Sequence, residues 1–168
     1  LCAAFDGGDD DALALRRAWL QFNRETIVRC LTAVEQAVHS VNPAIELGQM
    51  TGERPYEGYA FEQWEQALSG TGNVPVMWRP GGGFYWEDTP AGMPEKAHQI
   101  GRQVAYLSER VQVIESEIEN HPGYRLYKSR RVTGVEAACH IAAGCTGAAY
   151  NVLRPEGYMS DYEGPDYE

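Results

Sequence analysis

Val111-Gln-Val-Ile-Glu-Ser-Glu-Ile-Glu-Asn-His-Pro-Gly123 begins as an alternating apolar and polar run and ends in a row of carboxylates before a Pro-Gly turn. With the two-residue period of a β-strand, Val113, Glu115, Glu117 and Glu119 share one face, and Ile114, Ser116 and Ile118 share the other. Acids stacked on one strand face repel one another. The repulsion is tolerable at a strand's carboxyl end, where the chain opens into a cleft and a substrate or cation meets the charge. Glu117 and Glu119 are therefore the leading candidates for chemistry, and Glu115 reads as a deeper, paired acid.

Working outward from this strand, Val132 to Ala143 reads as a small-residue helix closing at Gly144, and Thr146 to Leu153 as a last strand. Upstream, Pro94 leads into a helix over Lys96–Glu109 with Ile100, Val104 and Leu107 on one side. Val74-Pro-Val-Met-Trp78 reads as a strand running into the loop Arg79–Asp88, rich in glycine and aromatics. A helix over Tyr59–Leu68 closes at Ser69-Gly70, and Ala44–Met50 is short enough for a strand. Asp9, Asp10 and Asp11 open a long amphipathic helix, which must end near Asn42 because the residue before Pro43 avoids helical geometry. Helix and strand alternate throughout. That order predicts an α/β fold with parallel strands covered by helices, either an open doubly wound sheet or part of a (β/α)8 barrel. In both, chemistry gathers at strand carboxyl ends, here Glu46 and Gln49, Trp78 and Arg79, Glu117 and Glu119, and Tyr150 and Asn151. Four strands are too few for a whole barrel.

The chain has 168 residues, a net charge of -10 and no basic cluster, which argues against nucleic acid and anionic membranes as partners. Its apolar runs fall far short of the roughly 20 residues that span a bilayer. It opens at Leu1 without a methionine or a signal-like segment, so it is expected to continue upstream, and no cellular location follows. Cys2, Cys30, Cys139 and Cys145 lack paired Cys-x-x-Cys spacing and read as buried thiols rather than a zinc site. Gly81-Gly-Gly83 lacks the lysine and hydroxyl of a phosphate loop, so no nucleotide cofactor is expected.

Trp78, Phe84, Tyr85 and Trp86 form either a platform for a sugar's apolar face or ordinary core and loop packing. Arg79 is either a clamp for a substrate or an ion-pair partner. Glu117 is open to pairing with Arg79 or Lys128. The series Glu117, Glu119 and His121 also fits a divalent metal, as in barrel sugar isomerases. His39 and His98 read as surface residues, and His140 lies on the small-residue helix, away from any strand end.

Ile118-Glu-Asn-His-Pro-Gly123 resembles the seventh-strand signature of glycoside hydrolase family 42, the β-galactosidase family. Leu1-Cys2 with Arg16–Asn23 is similar to the segment after that family's fourth strand, and Ala142–Asn151 to the approach to the eighth. The resemblance implies that residues 1–153 are the C-terminal half of a (β/α)8 TIM barrel, running from the helix after strand 4 to strand 8, with 154–168 a polar tail. It further implies a retaining β-galactosidase-like glycosidase acting on a carbohydrate, with Glu119 the nucleophile and Glu117 the second choice. Trp78, Arg79, Tyr85, Trp86 and Asn151 would line the substrate, and no metal or cofactor is implied. The acid/base falls before Leu1. Two alternatives stand beside it: a carbohydrate-binding barrel without chemistry, and a metal-dependent isomerase or aldolase. A half-barrel's open strand edges predict pairing with a second copy.

Overall fold

The computed structural model describes residues 6–52, 58–82, 84, 87–119 and 128–150. They fall into two units, one of residues 1–47 with 54–76 and one of 48–53 with 77–168.

The first unit is a pair of helices. Helix α1 spans Asp10–Val41; the Asp9 side chain caps it by accepting the Ala12 N–H at 2.7 Å, and Asp10 and Asp11 sit in its first turn, where carboxylates complement the helix dipole. It stops at Asn42, as the following proline requires. Helix α2, Phe61–Ser69, buries Phe61, Trp64 and Leu68 at helical spacing. A 32-residue helix is about 48 Å long and a nine-residue helix about 14 Å. The short helix therefore covers only part of the long one, and Leu13, Leu15, Phe22 and Val34, expected on a core face, are exposed. Gly70 ends α2 at φ 59°, a backbone conformation that favours glycine, and a Cβ there would have to displace the Glu35 carboxylate.

The second unit carries the sheet. Strands β1 (Leu47–Thr51), β2 (Val76–Pro80), β3 (Val111–Ile118) and β4 (Gly147–Tyr150) are parallel and lie side by side in chain order. Helices α3 (Gly92–Val104) and α4 (Arg130–Ala142) follow β2 and β3. The order never reverses, so these four strands contain no topological switch point of the kind at which doubly wound sheets bind ligands. β3 and β4 pair with Glu115 opposite Gly147, Glu117 opposite Ala149 and Ile118 opposite Tyr150.

Burial follows the strand period. Ile114, Ser116 and Ile118 are buried, as are Val76 and Trp78, while Glu115 and Glu117 are half-buried and Val113 is exposed. The helices bury less expected faces. On α3 the buried residues are Lys96, Ile100 and Gln103; Val104 is half-buried, and Leu107 lies beyond the end of the helix. On α4 they are Thr133, Glu136, Ala137 and His140. No helix among the described residues is long and apolar enough to cross a membrane.

Candidate functional site

The site grows from the ends of β2 and β3. Alternation on β2 turns Trp78 into the core and Arg79 to the opposite face; alternation on β3 turns Ile118 inward and Glu117 outward with Glu119 two residues on. Neighbouring parallel strands thus bring Arg79 and Glu117 together, and the Arg79 Nη2 and Glu117 Oε1 form an ion pair. Glu117 also shares a hydrogen bond with the Glu119 carboxyl. Burial raises the Glu117 pKa above the usual carboxylate range; Arg79 opposes that rise, and the negative charge of Glu119 adds to it. Two carboxyls in hydrogen-bond contact cannot both ionise cheaply, and Arg79 supplies the compensating positive charge at Glu117. The arrangement can offer two adjoining carboxyl groups and one guanidinium to a bound molecule.

Behind this pair lies a buried ionic chain that sequence reading missed. Lys96 of α3 donates from Nζ to the Glu136 carboxylate of α4 at 2.9 Å and to the Glu117 backbone carbonyl at 2.6 Å. Lys128 forms an ion pair with the other Glu136 oxygen and donates to the backbone carbonyls of Glu119 and Phe84, each at 2.9 Å. Its ammonium also lies over the Phe84 ring, 4.9 Å from the centroid. Lys128 therefore pairs with Glu136, not with Glu117 as one reading of the sequence allowed. Burial lowers the Lys128 pKa, against the raising effect of Glu136. His140 lies fully buried on the same helix and is held down to a pKa of about 3, by burial first and then by the charges of Lys96 and Lys128. A pattern of polar residues at i, i+3 and i+7 on α4, Thr133, Glu136 and His140, was the available signal, hidden because such residues ordinarily face water.

Trp78 is not on an open face. It is fully buried, its indole N–H donates to the Thr51 hydroxyl at 3.2 Å, and Thr51 in turn donates to Gln103 at 2.6 Å. Its role is packing beneath the site, which corrects the expectation of sugar stacking. Phe84 is likewise buried. Tyr85, Trp86, His121 and Asn151 lie outside the described residues, as does Cys2. The flanks of the aromatic loop are fixed: Lys128 holds the Phe84 carbonyl, and Glu87 accepts from the N–H and hydroxyl of Ser129, at 2.9 and 2.8 Å. Among the described residues, no three His, Cys, Asp or Glu side chains come together in a way that could hold a metal ion. Cys30 is exposed rather than buried, and Cys139 is half-buried. Burial lifts the Cys145 thiol to about 11, which makes it a poor nucleophile at neutral pH. His39 is no bare surface residue: it contacts Glu35 and the Ile45 carbonyl, each at 2.8 Å.

Compared with protein-family models, with curated proteins and with solved structures, the chain gives no match.

Proposed function

We propose that this chain carries the nucleophile side of a retaining glycosidase built on a (β/α)8 barrel, with Glu119 as nucleophile. The observation that carries the reading is the carboxyl pair of Glu117 and Glu119 at the end of β3, with Arg79 against it at the end of β2. An unreversed run of parallel strands is what an arc of such a barrel contains, and active sites of barrels sit at that strand end. The resemblance of Ile118–Gly123 to family 42 supports the assignment of Glu119.

In the first step a Glu119 oxygen attacks the anomeric carbon, the glycosidic C–O bond breaks, and the leaving oxygen takes a proton from a second acid roughly 5 to 5.5 Å away. By the resemblance that acid lies upstream of Leu1. Water then attacks the glycosyl ester, its proton returns to the acid/base, and Glu119 leaves as a carboxylate. Glu117 has a supporting part: its hydrogen-bond contact with Glu119 keeps the nucleophile oriented, and Arg79 balances the charge of the pair.

A 2-deoxy-2-fluorogalactoside with a dinitrophenolate leaving group needs no general acid, so it tests the chain by itself. The expected result is a stable adduct of one fluorosugar on Glu119, found by peptide mass mapping. An adduct on Glu117 would reverse the two roles, and no adduct at any carboxylate would overturn the proposal.

A further inference from the structure

The buried lysines end on backbone atoms that belong to the two acids. Lys96 Nζ reaches the Glu117 carbonyl at 2.6 Å, Lys128 Nζ reaches the Glu119 carbonyl at 2.9 Å, and one carboxylate, Glu136, holds both ammonium groups. The three side chains are 1%, 2% and 0% exposed. Stability alone is a poor reason for this chain, since buried ion pairs are commonly replaceable by well-packed apolar side chains at no loss. What apolar side chains cannot supply is a donor to each carbonyl at a fixed separation. We infer that Glu136, through Lys96 and Lys128, is a positioning residue for the acid pair, clamping the main chain at Glu117 and Glu119 from the helix side of the sheet. The inference rests on the glycosidase reading only in saying what the pair is positioned for.

The clamp has an electrostatic consequence as well. Glu117 is faced by Arg79 from β2, by Glu115 and Glu119 along its own strand, and by Lys96 from α3, behind which stand Glu136 and His140 of α4 and Lys128 just before it. Its β4 partner, Ala149, carries no charge. Lys96 thus reaches Glu117 from the buried side, and its field opposes the rise in the Glu117 pKa.

The test uses the full chain with ¹³C-labelled glutamate carboxyls, and Lys96→Met, Lys128→Met and, as control, Gln103→Leu. Gln103 is a buried polar residue of α3 that bonds Thr51 and Gly81 and touches neither acid. Lys96→Met should raise the Glu117 titration midpoint by roughly half a pH unit or more. Both methionine variants should slow trapping by the fluorogalactoside by roughly tenfold to a hundredfold, the usual consequence of about 1 Å of misplacement. Gln103→Leu should leave the midpoint unmoved. Folded methionine variants with an unchanged midpoint and unchanged trapping would overturn the inference. Should they not fold, ¹⁵N-detected lysine spectra of the unaltered chain decide instead: two ammonium groups with through-hydrogen-bond couplings to the Glu117 and Glu119 carbonyl carbons support the clamp, and absence of both couplings refutes it. If the unaltered chain takes no fluorosugar label while both hydrogen-bond couplings are present, the clamp stands and the glycosidase reading falls.

Discussion

Replacing Glu136 with glutamine keeps the shape of the side chain and removes the carboxylate that pairs with two buried ammonium groups. At about 3 Å and an effective dielectric of about 20, each ion pair is worth about 5 kcal/mol of attraction. Most of that is offset by the cost of desolvating the ions, so the intact chain contributes little net stability. Removing one partner is different, because the desolvation cost remains while the attraction is lost; such changes cost about 3–5 kcal/mol. For a domain of this size that lowers the melting temperature on the order of 10 °C. The deficit should also depend on pH with a definite sign. A lysine whose folded-state pKa lies below its unfolded value binds fewer protons when folded, so stability rises with pH between the two values. Lys128 already lies on that side, and Glu136→Gln takes away the group that raises it. Urea unfolding followed by tryptophan fluorescence from pH 7 to pH 10 measures both effects, with exposed Glu62→Gln as a control expected to stay within about 0.5 kcal/mol. A loss below about 1 kcal/mol, or a deficit that does not shrink as pH rises, would refute the reasoning.

Other outcomes follow from the same structure. Glu119→Gln should abolish fluorosugar trapping while Glu117→Gln slows it, as intact-mass kinetics will report. The raised pKa of Glu117 stabilises the fold below its unfolded value near 4.3 and loses that contribution as pH rises through its folded value. The difference in urea midpoint between the unaltered chain and Glu117→Gln should therefore fall across that window; a flat difference would contradict it. His140 must stay neutral in the fold, with its pKa near 3 against about 6.5 unfolded, so it withdraws stability as pH falls from about 6.5 toward 3. His140→Met should relieve that acid sensitivity, giving a larger gain at pH 4.5 than at pH 8 in thermal melts. Gly70→Ala should cost about 1–3 kcal/mol, since it adds a Cβ at positive φ against Glu35; a change within about 0.5 kcal/mol would remove the argument.

The alternation of helix and strand was legible because apolar spacing, Asn42 before Pro43 and the terminal glycines Gly70 and Gly144 mark boundaries through local backbone physics. Boundaries still moved by a few residues, as in β2, where the ladder runs on to Pro80 at the mouth of the Gly-rich loop. The two-faced pattern of β3 was legible too, since a period of two leaves only one way to divide Ile114, Ser116 and Ile118 from the three acids. The ionic chain beneath them was not. Lys96, Lys128, Glu136 and His140 are residues that alone belong in water, and only their mutual contacts, across 44 positions from Lys96 to His140, make burial tolerable. Trp78 stood at a strand end beside Arg79, open to sugar stacking or core packing, and the one-residue offset between them puts the indole on the core face.

Glu117 and Glu119 are read as one coupled carboxyl pair, and ¹³C titration of their carboxyl carbons in the unaltered chain tests that directly. The expected result is a Glu117 midpoint above the ordinary carboxylate value, with an inflection at the same pH in the Glu119 signal. Two independent titrations at ordinary values would contradict the pair, and with it the reading of this strand end as a catalytic site.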